Sequence, residues 1–155
     1  MARTRQAAIE QAGRAMQRYQ RSVQSFDDAV GRSLGLGPAD MRCLDILSKG
    51  PRTAGELSAA TGLRPAATTA LIDRLVTKGF VVRQPSETDR RQVLVAMTEE
   101  GARRTWEAYG PMVTEGQQAL ASFTVAELER MADLLDGATV LTERHRARIE
   151  RSALS

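Results

Sequence analysis

Two adjacent arginines, Arg90 and Arg91, follow the turn-forming run Pro85-Ser86-Glu87-Thr88-Asp89. A guanidinium is a permanently charged, planar fork of donors, suited to phosphate oxygens and to the negative potential of a narrow A-T minor groove. Taken alone, an arginine pair is equally well a solvated loop. What turns the reading toward nucleic acid is the stretch before it, which reads as two short helices. The other chemistry-bearing residues form no such pattern. His145 is the sole histidine, so neither a metal site nor histidine catalysis is expected, and it reads as an interface residue. Cys43 is the sole cysteine; it excludes an intrachain disulfide framework and a multi-cysteine zinc site, and reads as a buried inert thiol. No glycine-rich phosphate loop and no nucleophile–base constellation is visible, so an enzyme is not expected and no cofactor is implied.

The elements that position the arginines begin at Thr53, where Thr53 and Glu56 form a capping box at a helix start. Thr61-Gly62 closes that helix, because glycine takes the left-handed conformation at low cost. Pro65 suits the first turn of a second helix, expected to run to about Lys78 with Gly79 as its stop. At a period of 3.6 residues Thr68, Leu71, Ile72 and Leu75 share one face and must pack inward. The opposite face carries Ala66, Ala70, Asp73 and Thr77, flanked by Ala67, Thr69 and Arg74. Such small or polar side chains let a helix backbone approach another surface closely. Then come two runs around the polar loop, Phe80 to Arg83 and Gln92 to Met97, which read as a hairpin with the arginines near its tip.

These residues resemble the MarR family of bacterial transcriptional regulators. The resemblance rests on the glycine-closed helix, on Asp73-Arg74-Leu75 and Lys78-Gly79-Phe80, on Asp89-Arg90-Arg91, and on Met97-Thr98-Glu99-Glu100-Gly101. It implies a mainly α fold with a small β wing: a winged helix-turn-helix over 37–98 between dimerising terminal helices, 1–36 and 99–155; the length of 155 residues is itself that of a single domain. It further implies that Arg91 enters the minor groove, that Asp89 orients the wing arginine, and that the helix from Arg64 to Arg74 lies in the major groove. Two positions depart from the family pattern. Ala70 stands where a base-reading arginine is common, and Arg64 stands near where a Ser, Thr or Asp cap is common. Base reading here then falls to methyl contacts from Ala66, Ala67 and Thr69, with Arg64 and Arg74 at the edges.

The flanks fit that scheme. Ile9, Ala12, Met16, Tyr19, Val23, Phe26 and Val30 recur every three or four residues, predicting a helix from about Thr4 to Arg32 that packs on another helix, from its own chain or a partner's. Gly37-Pro38 opens a helix carrying Met41, Leu44, Ile46 and Leu47, and Lys49-Gly50-Pro51 ends it. After Thr98 and Gly101 comes a helix bearing Trp106 and Tyr109, which Gly110-Pro111 should interrupt and bend before it resumes to about Ser122. Thr124 and Glu127 cap a last helix with a stripe of Leu128, Met131, Leu134, Leu135, Ala138, Leu141, His145 and Ile149. Arg144, Arg146, Arg148 and Arg151 read as a solvated, salt-bridging face of that helix. A two-fold dimer is the economical architecture. The aromatics are core residues by default; the family resemblance implies that Tyr19, Phe26, Met41, Trp106 and Tyr109 line a site for a small aromatic, often phenolic, effector.

A net charge of +3 permits a polyanionic partner without demanding one. No run approaches the length of about 20 apolar residues that spans a bilayer, and the N-terminus has no apolar core for a secretory signal. A cytoplasmic protein is expected. The leading reading is a homodimeric repressor of a pseudo-palindromic operator in double-stranded DNA, released by a small molecule. Two alternatives stand beside it: a nonspecific architectural DNA-binding protein, and a winged-helix protein-interaction adaptor, against which the lack of exposed aromatic anchors on the small-faced helix counts.

Overall fold

The computed structural model describes residues 4–89 and 91–152, in six helices and three strands. They fall into two compact units, divided between Tyr109 and Gly110. The first holds α1 (Arg5–Leu34), α2 (Pro38–Leu47), β1 (Arg52–Thr53), α3 (Ala54–Thr61), α4 (Pro65–Thr77), β2 (Val81–Pro85), β3 (Val93–Met97) and the start of α5 (Glu99–Leu120). The second holds the rest of α5 and α6 (Val125–Ser152).

Local chemistry sets most boundaries. Thr4 caps α1 by accepting the Ala7 amide, and Gly35 closes it at φ 67°, with the Leu36 amide reaching back 2.8 Å to the Gly31 carbonyl. The reciprocal Thr53–Glu56 box opens α3, and left-handed Gly62 at φ 72° ends it. Thr124 and Glu127 repeat that box at α6.

The core of the first unit joins Leu44 and Leu47 of α2, Leu57 of α3, Leu71, Ile72 and Leu75 of α4, Phe80, and Val81 and Val95 of the sheet. Thr68 is buried with them, its hydroxyl donating to the Arg64 carbonyl, so the inward face expected for α4 is the one it buries. The strands run in the order β1-β3-β2, all antiparallel. β1 was not foreseen, for two residues carry no periodicity; Arg52 and Thr53 simply pair with Val95 and Leu94.

One expectation is corrected. α5 runs unbroken through Gly110-Pro111 where an interruption was anticipated. A proline deletes one amide bond of the ladder, and the turns on both sides sustain the helix. In the second unit α6 buries no residue, and Leu134, Leu135, Leu141 and Ile149 of its apolar stripe stand exposed.

Candidate nucleic-acid interface

The outward side of α4 is open. Arg64, Ala66, Ala67, Thr69 and Ala70 are all exposed, while Leu71, Ile72 and Leu75 behind them are buried, so a fixed core backs a smooth face. Arg64 occupies the N-cap position with no side-chain cap bond, and Pro65 fills the first turn. At the other end the Asp73 carboxylate accepts from the Arg83 guanidinium at 2.7 Å, tying α4 to β2.

The wing is β2 and β3, paired from Val81↔Met97 to Pro85↔Val93. Its loop is held by two short side chains. The buried Ser86 hydroxyl accepts the amides of Thr88 and Asp89, both at 3.3 Å, and Asp89 accepts the Arg91 amide at 2.9 Å. Asp89 therefore fixes the backbone at Arg91, leaving its guanidinium exposed and, among the described residues, without an acceptor. Arg90 lies outside the described residues. Ser86 was not singled out in the sequence, although a serine opening a polar turn is a recognisable signal.

The sequence motif ending in Thr98 and Gly101 joins the wing to α5. The Thr98 hydroxyl donates to the Gly79 carbonyl at 2.6 Å and accepts the Gly101 amide at 2.8 Å, and the Thr98 amide donates to the Phe80 carbonyl. The Arg104 guanidinium lies over the Phe80 ring, 4.2 Å from its centroid.

The Arg74 side chain, 47% exposed, is tied to α2. Its guanidinium donates through Nε to Asp40 Oδ1 at 3.2 Å and through a second nitrogen to the same oxygen, and this bond holds its proton more tightly than usual. Asp40 went unnoticed in the sequence; its place three residues after Gly37 marks a helix-capping carboxylate, but nothing local points to Arg74.

A cavity of about 880 Å³ opens between the C-terminal half of α1, α2 and the start of α5. Met41, Trp106 and Tyr109 line it, with Asp27 and Asp45. Phe26 meets Tyr109 edge to face, centroids 5.4 Å apart, and the Tyr109 hydroxyl donates to Asp27 at 2.8 Å. Burial first, then Asp27, pushes the Tyr109 phenol up to about 12. Neither Tyr19, which is 65% exposed, nor Phe26, which reaches the cavity only through its contact with Tyr109, is among the lining residues. Cys43 is fully buried, and burial followed by the Asp40 charge raises its thiol to about 11, so it stays protonated at neutral pH.

His145 is exposed on α6 with no metal-binding cluster among the described residues, and Arg146 pairs with Glu150 at 3.3 Å. No helix is long and apolar enough to cross a membrane among the described residues.

A short glycine-closed helix, a second helix with an open small-residue face and a three-stranded sheet ending in an arginine-tipped loop define a winged helix-turn-helix. The chain belongs to the MarR family, whose sequence profile matches residues 34–92. It is 32% identical over 127 residues to the uncharacterized HTH-type transcriptional regulator YcgE of Bacillus subtilis (strain 168), covering 81% of this chain and 82% of that protein. It is also similar to wild-type MarR from E. coli in its apo form, at 25% identity and a TM-score of 0.56, over 81% of this chain and 95% of that one. A MarR family protein from Bacillus stearothermophilus shares the fold at a TM-score of 0.65 and 20% identity, over 91% and 99% of the two chains. The chain is thus a DNA-binding transcriptional regulator rather than an enzyme.

Proposed function

We propose that the chain acts in the cytoplasm as a homodimeric repressor on a pseudo-palindromic operator in double-stranded DNA, and that a small aromatic effector releases it. The observation that carries this reading is the open face of α4 beside a wing loop whose Asp89-anchored Arg91 has no acceptor among the described residues. In it Ala66, Ala67, Thr69 and Ala70 meet base edges and thymine methyls in the major groove, and Arg64 and the uncapped first turn of α4 meet phosphate. Arg91, with Arg90 beside it, enters the flanking minor groove.

Dimerisation is supported by the exposed stripe of α6, since an apolar helix face of that length needs a partner. Two-fold symmetry then sets two copies of α4 one helical turn of DNA apart, about 34–36 Å. The effector is supported by the cavity walled by Met41, Trp106 and Tyr109, with Phe26 bracing Tyr109. A ligand that favours another spacing of the reading heads must weaken DNA binding by linkage.

The test is fluorescence anisotropy of the purified protein with duplex DNA from immediately upstream of its own gene against scrambled duplex, at fixed physiological salt. A preference of about a hundredfold, roughly 2.7 kcal/mol, is expected. Equal binding to both duplexes would favour the architectural reading, to which the alanine-rich face of α4 also lends itself. Binding to neither would favour a protein adaptor.

A further inference from the structure

The corner between α1 and α2 touches both halves of the proposed machinery. On one side it holds α4 at two residues one turn apart: Arg74 donates to Asp40, and the Lys78 ammonium donates to the Gly35 carbonyl. On the other side Gly31, Leu36, Pro38 and Met41 of the same corner line the cavity.

Asp40 is the pivot. It is 3% exposed, and its second oxygen accepts the Gly37 amide at 3.0 Å, so one carboxylate caps α2 and seats α4. The corner has little slack. A Cβ on Gly31 would lie 2.9 Å from the Leu36 carbonyl oxygen, and the Leu36 amide is bonded to the Gly31 carbonyl. A displaced Leu36 or Pro38 therefore moves the Gly37–Asp40 cap with it. Arg74 must follow, because a buried carboxylate that loses its cation is strongly disfavoured.

We infer that Asp40 is a positioning residue that sets the seat of α4 through Arg74 and links the state of the cavity to DNA reading. Arg74 then acts through Asp40 and not as a phosphate contact. This rests on the operator reading above.

The test uses the full chain with Asp40→Asn, Arg74→Ala and the double variant, titrated with upstream and scrambled duplex. Asparagine still accepts the Gly37 amide, so α2 keeps its cap while the charge is lost. Each single variant is expected to lose about tenfold of the preference for upstream DNA, the double variant no more than the worse single one. The salt slope stays unchanged, since no phosphate contact is removed. A slope reduced by about 0.9 in Arg74→Ala would make Arg74 a phosphate contact and overturn the inference. Should Asp40→Asn fail to fold, Arg74→Lys, which keeps the cation but not the fork, carries the same expectation.

The cavity side has its own readout. Trp106 is the only tryptophan and lines the cavity, so acrylamide quenching reports on it selectively. Linkage is reciprocal, so saturating upstream duplex should change the quenching constant in the wild type, scrambled duplex should not, and Asp40→Asn should abolish the change. No change in the wild type overturns the link. A wild type that prefers its duplex while Asp40→Asn matches it in affinity and quenching overturns this inference alone. A wild type with no preference for any duplex overturns the operator reading and this inference together.

Discussion

A Cβ placed on Gly101 would lie 2.3 Å from the carbonyl oxygen of Phe80 and 2.8 Å from its Cα. The first turn of α5 thus rests directly on the backbone that leads from α4 into the wing, and Thr98 and Arg104 secure the same junction from either side. Backbone cannot yield as a side-chain tip can. Gly101→Ala is expected to cost about 3 kcal/mol, the upper part of the overpacking range. Chemical denaturation against the wild type measures it; a loss under about 0.5 kcal/mol would mean that the junction is loose.

Arg91→Ala should lower affinity for upstream duplex by at least about tenfold and reduce the salt slope by about 0.9. Its mass in sedimentation should be that of the wild type, because Arg91 is exposed at the wing. Unchanged binding in the anisotropy titration would remove the wing from the mechanism.

Leu135→Glu should weaken self-association without melting the first unit. Leu135 stands 44% exposed on α6, one turn from Met131, itself 39% exposed, and a carboxylate there must be desolvated if another helix covers the stripe. Sedimentation velocity across a concentration series reads this, and an unaltered profile would place the dimer contact elsewhere.

The two capping boxes make stability depend on acid. The Glu56 carboxyl is held below its ordinary value of 4.5 by the Thr53 backbone amide and then by its hydroxyl, and Thr124 does the same for Glu127. A carboxyl lowered on folding contributes stability that is fully present above the ordinary value and is lost as pH falls through the folded one. Melting temperature should therefore fall more steeply below about pH 4.5 in the wild type than in Glu56→Gln, the reference value for an unfolded carboxyl being near there. At neutral pH Thr53→Ala should cost about 1 kcal/mol.

Tyr109 gives the opposite sign. Its phenol is pushed up to about 12, chiefly by burial and then by Asp27. The raised value adds stability that is fully present below the ordinary value of 10 and is lost as pH rises from there toward 12. Spectrophotometric titration of the phenolate band should show a late step, absent in Tyr109→Phe. A single step near the ordinary value would mean that the cavity wall is open to water.

How far each feature was legible depended on how local its cause is. Thr53 with Glu56, Gly62, Pro65 and the spacing of Leu71, Ile72 and Leu75 act within one or two turns of chain, so the sequence by itself determined α3, α4 and the buried face of α4. The wing was legible for the same reason, its strands bracketing a polar turn. Pro111 misled because a proline's local cost says nothing of the turns that outvote it. Only the tertiary structure decided that Arg74 turns to Asp40, 34 residues away, and that Tyr109 finds Asp27, 82 residues away. Partners so distant leave no mark on periodicity or capping. They meet because burying the apolar faces around them brings their elements together, and once desolvated each polar group must satisfy itself with what the fold has placed within reach.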